Sequence, residues 1–187
     1  MGGTSEIHAL GDAELVSATL RGSDDAFAVL VGRYKDLLFR HAERMTGRAD
    51  DAEDIVQAAF IKGYRNLRTC RNPERVGSWL FRIGANACKD YLKSRRRSDV
   101  SLEEAPDLRS DGEDADEAVR RGRLRQAIDA ALQRLAEDQR EAFVLKHVEG
   151  RSYAEMSELL GVTVPALKMR VHRAREELQE LLRAVAP

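Results

Sequence analysis

One stretch near the middle of the chain, residues 98–118, most strongly limits what this sequence can fold into. It carries nine acidic residues against a single base, Arg109, and also contains Pro106 and Gly112. A segment with so much like charge and so little apolar surface cannot offset the entropy lost on ordering. The sequence therefore predicts a flexible acidic linker between two small domains.

The blocks on either side of the linker both show helical periodicity. Apolar residues recur at three- and four-residue steps over four ranges: 27–45, 55–67, 79–91 and 124–182. Charged residues make up 34% of the chain and aromatic residues 5%, which is typical of charged helices around small aliphatic cores rather than of a β-sandwich. We expect an all-α protein with a disordered tail at 1–11, one helical domain at 12–97 and another at 119–187.

The sharpest local pattern lies at residues 152–178. Ser152 followed by Glu155 has the spacing of a capping box, and Gly161 is placed to end that helix. A second helix after the turn completes a helix-turn-helix. On a helical wheel its apolar residues share one face, and the outer half carries Lys168, Met169, His172 and Arg173. The coincidence of caps, turn and basic face favours a DNA-recognition helix over a solvated bundle helix.

A second polar face is predicted on the helix over 79–97. It carries Arg82, Asn86, Lys89 and Lys93, a stripe of cations with one amide that suits contact with a phosphate backbone. Taken alone, such a stripe indicates only a solvated charged face that points away from the core. Beside a second DNA-reading block, nucleic-acid binding is the better interpretation. Trp79, at the start of the helix, is expected to occupy the core and support this surface.

Several classes of function find no support in the sequence. It contains no Walker loop and no GxSxG or HExxH motif, and its four histidines are scattered, with His41 on an apolar stripe. Cys70 and Cys88 lack CxxC spacing, so neither a zinc site nor a disulfide is indicated. The longest apolar run, 26–31, is far shorter than the ~20 residues of a membrane span. We expect a cytoplasmic binding protein without catalytic site, metal or cofactor.

Four segments carry a resemblance to a known family. They are DDAFAVLVGRYKDLLFRHAERMTG (24–47), DAEDIVQAAFIKGYRNL (51–67), GSWLFRIGANACKDYLKSRRR (77–97) and EDQREAFVLKHVEGRSYAEMSELLGVTVPALKMRVHRAREEL (137–178). In order and spacing they resemble a bacterial sigma factor of the extracytoplasmic-function (ECF, group 4) class. The resemblance implies a sigma-2 domain, a linker that threads toward the polymerase cleft, and a sigma-4 domain. It also implies recruitment of core RNA polymerase to a specialised stress or envelope-response promoter set, and opening of the DNA.

The resemblance also implies roles for individual residues. It places the contact with the β′ coiled coil of core polymerase on DAEDIVQ, chiefly Asp54 and Gln57, with Asp51 and Phe60 nearby; Ala58 stands where the family commonly has Glu. Residues expected at the minus-10 element are Trp79, Arg82, Asn86, Lys89, Asp90 and Lys93, next to a 67–77 loop that captures a flipped base. Residues expected at the minus-35 element are Lys146, Lys168, Met169, His172 and Arg173. The polymerase β flap and an anti-sigma factor are further implied partners.

Two other classes of protein use parts of the same pattern. A one-component repressor also carries a helix-turn-helix but normally adds a dimerisation or ligand domain, whereas residues 12–97 match a polymerase-binding block. An adaptor that binds a partner through amphipathic helices gives no reason for two cationic faces. Binding to core polymerase distinguishes the first class, and run-off transcription distinguishes the second.

Overall fold

The computed structural model describes residues 7–99 and 117–183, with the side chains of 7–95 and 126–183. These residues form helices and short turns with no strand among them, so the all-α prediction is confirmed. Most of the predicted linker, including Arg109, lies outside the described residues. The principal helices are α1 (Asp12–Leu20), α2 (Asp24–Thr46), α3 (Ala49–Asn66), α4 (Val76–Asp99), α5 (Glu117–Arg134), α6 (Glu137–Phe143), α7 (Tyr153–Leu160) and α8 (Val164–Arg183).

Helix α2 is bounded by local chemistry at both ends. The Ser23 side chain accepts a hydrogen bond from the Ala26 amide at 3.3 Å, which satisfies one of the free donors of the first turn. Gly47 ends the helix at φ 75°, and its amide bonds the Glu43 carbonyl. Left-handed backbone at this position suits glycine, which has no Cβ to clash.

The chain before α2 is more ordered than the predicted tail at 1–11. Residues 7–9 form a helical turn, and α1 follows directly. Arg33 holds this segment on α2: its guanidinium pairs with Asp12 at 2.8 Å and donates to the carbonyls of His8 and Leu10. The tail boundary therefore differs because Arg33 satisfies backbone acceptors 23 and 25 residues away, a contact that local periodicity does not contain.

The N-terminal block (residues 7–99) packs α4 against α2 and α3. Two glycines permit the close approach. A Cβ at Gly84 would stand 3.2 Å from Leu38, and one at Gly77 would overlap the ring of Tyr34. The buried residues Leu80, Phe81 and Ala85 on α4 complete this core. The result is a rigid base for the polar side of α4.

The C-terminal block (residues 117–183) has only a small core of its own, formed by Ala131, Leu132, Leu135, Ala174 and Leu178. Most of its other buried apolar side chains, among them Met156 and Leu167, join the core of the N-terminal block. The fully buried Arg140 crosses this boundary, since its guanidinium donates to the Met45 carbonyl at 2.6 Å. The two blocks thus pack directly against each other, a feature that the linker prediction did not include.

Candidate nucleic-acid and polymerase interfaces

The helix-turn-helix predicted at 152–178 is present with the expected caps. The Ser152 hydroxyl accepts from the Glu155 amide at 3.2 Å, and the Glu155 carboxylate accepts from the Ser152 amide at 2.8 Å. Gly161 ends α7 in the left-handed conformation, with φ 68°. Helix α8 then begins at Val164. The reciprocal cap and the glycine turn therefore fix the direction in which α8 leaves α7.

The buried and the exposed residues of helix α8 lie on the faces that the helical wheel predicts. Its buried side chains are Leu167, Val171, Ala174 and Leu178. The four predicted recognition residues, Lys168, Met169, His172 and Arg173, are all exposed. Met169 is 49% exposed, so its side chain is accessible on the outer face of α8. Arg170 turns aside to pair with Asp138 at 3.0 Å.

Lys146 lies in a π-helical turn, Val144–Val148, that follows α6. Its ammonium donates to the Arg151 carbonyl at 3.2 Å and lies 4.8 Å from the centre of the Tyr153 ring. Burial lowers the pKa of the neighbouring His147, and the positive charges of Arg175 and Lys146 lower it further. The surface around Lys146 is therefore electropositive, as a phosphate-binding surface requires.

The polar side of α4 is largely accessible. Arg82, Asn86, Asp90 and Lys93 are exposed, and Trp79 is half-buried against the N-terminal core. These positions follow each other at three- and four-residue steps, so they line one side of the helix. Trp79 therefore packs against the core as predicted, and its support of a DNA-binding surface stays a prediction.

Lys89 differs from its predicted orientation. It was expected to face away from the core, but only 19% of its side chain is exposed, and its ammonium lies 3.2 Å from both Asp138 and Glu141. Glu141 is completely buried. Burial alone lowers the pKa of Lys89, but the two carboxylates outweigh it and raise the pKa. The wheel prediction for Lys89 is therefore wrong, because the C-terminal block covers this side of α4; its role toward DNA stays a prediction.

A second ionic contact between the blocks surrounds Glu149. Its carboxylate lies 3.3 Å from His41 Nδ1 and 3.4 Å from Arg44, and only 7% of the side chain is exposed. Burial raises the pKa of Glu149, but the hydrogen bond and charge of His41, with Arg44 and Arg151, outweigh it and lower the pKa. His41 is thus buried, as its apolar stripe predicts. Its Nδ1 is paired with Glu149, whereas its Nε2 has no hydrogen-bond partner among the described residues.

We expect Glu149→Gln to lower the free energy of unfolding by about 2 kcal/mol at pH 7, because charge-assisted hydrogen bonds are lost. A carboxylate with a depressed folded pKa contributes stability above its unfolded pKa and loses it as the pH falls through the folded pKa. Urea unfolding should therefore show a smaller wild-type advantage at pH 4 than at pH 7. Exposed Glu158, paired with Arg75, is the control: Glu158→Gln should cost under ~1 kcal/mol. An equal deficit for Glu149→Gln at both pH values would contradict the assignment.

The segment predicted as a loop at 67–77 contains two 3₁₀ turns between α3 and α4, Leu67–Thr69 and Pro73–Arg75, and its last two residues, Val76 and Gly77, begin α4. Leu67 and Cys70 are buried and anchor it, and the Cys70 thiol contacts the Asn72 carbonyl at 3.5 Å. Burial raises the pKa of Cys70, so this cysteine serves as an ordinary buried thiol. The anchors leave polar side chains at the tip exposed: Arg68, Thr69, Arg71 and Asn72. This is the geometry of a rigid loop with a polar rim.

The residues expected to meet polymerase lie on α3. Asp54 and Gln57 are exposed on the same side, three positions apart. Asp51 is instead held by Arg48 and Arg95, at 3.2 and 3.4 Å. Phe60 is 7% exposed, so its side chain belongs mainly to the core.

An apolar groove of ≈ 640 Å³ opens beside these residues. Its lining comprises Phe27, Val31, Gln57, Phe60, Ile61, Tyr64 and Arg65. Ile61 is 47% and Tyr64 44% exposed, although Tyr64 is part of the apolar periodicity over 55–67, which predicts a buried helix face. The Tyr64 hydroxyl donates to Asp24 at 2.7 Å, which holds the ring at the rim. Ile61 was detectable in the sequence as an apolar residue off the helical stripe.

Neither a metal centre nor a membrane span appears in the part of the chain that the structure describes. No three metal-binding side chains come together within the described ranges. Every helix there lacks the long apolar stretch needed to cross a bilayer.

Comparison with known proteins identifies the family to which this chain is similar. Residues 30–98 match the sigma-70 region 2 family, and residues 125–178 match sigma-70 region 4. The sequence is 35% identical over 180 residues to the RNA polymerase sigma-H factor of Pseudomonas aeruginosa, covering 91% of this chain and 93% of the relative. It is 33% identical over 178 residues to the ECF RNA polymerase sigma-E factor of Escherichia coli K12, covering 90% and 93%.

The fold comparison agrees. The structure of CnrH in complex with the cytosolic domain of CnrY matches with a TM-score of 0.63 at 29% identity, over 94% of this chain and 99% of that one. The sigma factor RpoE in complex with the anti-sigma factor NepR from Bartonella quintana matches with a TM-score of 0.58 at 27% identity, over 84% and 96%. The chain belongs to the sigma-70 family of RNA polymerase sigma factors. Within that family it is an ECF sigma factor.

Proposed function

We propose that this chain is a group 4 sigma factor that binds core RNA polymerase through α3, reads the minus-35 element with α8 and receives the opened minus-10 strand along α4. The observation that carries the proposal is that three sets of side chains are separately exposed on one chain. They are Asp54 and Gln57 on α3, Lys168, Met169, His172 and Arg173 on α8, and Arg82, Asn86, Asp90 and Lys93 on α4. The proposed site of action is the cytoplasm, where core polymerase and promoters are found.

Polymerase docking is supported by the chemistry of α3. An apolar groove with a polar rim is suited to an amphipathic partner helix, because the groove buries apolar side chains and the rim fixes the register. Asp54 and Gln57 supply a charge and an amide at that rim. The residue at position 58 is alanine, so the docking surface has one polar group fewer than the usual family pattern.

Promoter opening is supported by the combination of α4 and the 67–77 loop. Removing a base from the stack costs a few kcal/mol, and a preformed pocket offsets that cost. The buried anchors of the loop keep its polar tip in place before DNA arrives. Arg82 and Lys93 can follow the strand backbone, while Asn86 can hydrogen-bond a base edge. The chain thereby supplies binding and positioning, and the polymerase supplies the chemistry.

An anti-sigma factor is a proposed regulatory partner. One matched structure holds CnrH in complex with the cytosolic domain of CnrY, and another holds the sigma factor RpoE in complex with the anti-sigma factor NepR. By analogy, a regulator that covers α3 or α8 would prevent polymerase or promoter binding.

The test of polymerase docking is the double variant Asp54→Arg with Gln57→Ala. Its affinity for core polymerase should fall at least ~10-fold, because the reversed charge at position 54 repels the partner and the side-chain amide at position 57 is no longer there to hydrogen-bond it. Asp36→Arg, on an exposed position of α2, is the matched charge-reversal control and should bind as the wild type does. Circular dichroism should be unchanged for both variants.

Two readouts separate the candidate classes. With core polymerase and a library of randomised promoter fragments, the wild-type chain should direct transcription from defined start sites, and the double variant should not. Wild-type affinity retained by the double variant would remove the α3 interface. Duplex binding without any affinity for core polymerase would indicate the repressor instead.

A further inference from the structure

The ring of Tyr153 contacts two lysines from different elements. The Lys146 ammonium, from the π-helical turn, lies 4.8 Å from the ring centre, and the Lys168 ammonium, from the recognition helix, lies 5.8 Å from it. Both distances fall within the ~6 Å over which an ammonium is attracted by an aromatic face. Tyr153 itself is the first residue of α7 and is half-buried against the core.

Two ammonium groups held near one ring would otherwise repel each other and spread apart. The negative face of the ring offsets part of that repulsion. The Arg151 carbonyl fixes Lys146 further at 3.2 Å. A lysine has three donors and a flexible stem, so donors remain for a phosphate while the stem is already restrained.

The surrounding backbone is consistent with a functional position. Lys146 is presented by a π-helical turn, Val144–Val148, and such turns interrupt α-helices mostly as single turns, often at functional sites. The capping box of Ser152 and Glu155 sets the start of α7, and with it the place of the Tyr153 ring. Three separate elements therefore meet at this residue.

We propose that Tyr153 is a positioning residue for DNA binding: its ring preorganises Lys146 and Lys168 for neighbouring phosphates of the minus-35 duplex. The inference rests on the proposed function of α8. Restraining a long side chain before binding removes part of the entropy cost of ordering it in the complex. Loss of the ring should therefore weaken duplex binding about 10-fold, since two lysines are affected.

The experiment uses the full chain and a random-sequence 24-base-pair duplex, with binding followed by fluorescence anisotropy. Phosphate contacts do not depend on sequence, so this probe is appropriate. Tyr153→Leu should bind about 10-fold more weakly, because leucine keeps apolar packing but has no ring face. Tyr153→Phe should bind within about twofold of the wild type, because it keeps the ring. Thermal unfolding of both variants verifies that the fold is intact.

A double-mutant cycle separates positioning from a structural role. In a chain that already carries Lys146→Ala and Lys168→Ala, Tyr153→Leu should have no further effect on binding. In NMR spectra without DNA, the ε-methylene protons of both lysines should be shifted upfield by the ring in the wild type and in Tyr153→Phe, but not in Tyr153→Leu.

Several results would overturn the inference. They are wild-type binding by Tyr153→Leu, equal loss in Tyr153→Phe, or an unchanged loss in the background without the two lysines. If the wild-type chain bound neither the duplex nor, as holoenzyme, promoter DNA, the proposed function itself would fall, and the inference with it.

Discussion

Lys89→Met is expected to lower the free energy of unfolding by about 3–5 kcal/mol at pH 8, because it leaves a buried carboxylate without its partner. The Lys89 ammonium lies 3.2 Å from Glu141, which is completely buried between the blocks. A charge that is buried and unpaired costs far more than the net gain from the original pair. Asp138 is affected less, since it is 49% exposed and also pairs with Arg170.

Two control variants distinguish this explanation from a general loss of packing. Lys93→Met makes the same chemical change at an exposed position one turn further along α4 and should change stability by less than ~0.5 kcal/mol. The double variant Lys89→Met with Glu141→Met removes both charges, and apolar replacement of a buried pair is often close to neutral. It should therefore recover most of the loss in urea unfolding.

The pH dependence of the Lys89→Met deficit gives an independent check. Burial raises the pKa of Glu141, while the charges of Lys89 and His41 act in the opposite direction. Without Lys89, the folded pKa of Glu141 rises further above its unfolded value. A group of this kind loses its contribution to stability as the pH rises through the folded pKa. The deficit of Lys89→Met relative to the wild type should therefore be smaller at pH 5 than at pH 8, and an equal deficit would show that the charge of Glu141 is not its cause.

Sequence periodicity was sufficient for the elements whose structure is determined locally. In α8, the caps and the apolar spacing fix both the turn and the exposed face, so Lys168, Met169, His172 and Arg173 are all placed outside as predicted. A helical wheel works there because the apolar residues of α8 share a single buried face. The same reasoning identified Gly161 as a helix end.

The side of α4 that carries Lys89 was not predictable in this way. Helix α4 packs on α2 and α3 with one side and on the C-terminal block with another, whereas a wheel distinguishes only apolar from polar positions. The partners of Lys89 are 49 and 52 residues away in the sequence, and the partner of His41 is 108 residues away. Charged residues that pair across such separations have the same local pattern as charged residues in water. Ile61 shows the same limit for an apolar residue. The sequence shows that Ile61 is apolar, but its apolar character alone does not show that the exposed side chain lines a groove.

The C-terminal block offers two cations of different geometry, and they should behave differently toward DNA. Arg173 is exposed on α8 and carries a planar fork of donors that matches guanine O6 and N7. Lys146 lies before the helix-turn-helix, where a single ammonium is suited to a phosphate. We therefore expect Arg173 to read a base and Lys146 to anchor the backbone.

Arg173→Ala should cost about 1–3 kcal/mol on the preferred minus-35 element and flatten discrimination at one base pair, because a bidentate base contact is lost. Lys146→Ala should weaken all sequences nearly alike and reduce the salt slope by about one counterion. The measurement titrates holoenzyme against upstream duplexes selected from a randomised pool, and then against every single-base variant, at two salt concentrations. If Arg173→Ala weakened binding to every duplex variant equally, Arg173 would contact a phosphate and not a base. Helix α8 would then be rotated about its own axis in the major groove, relative to the orientation that its exposed face indicates.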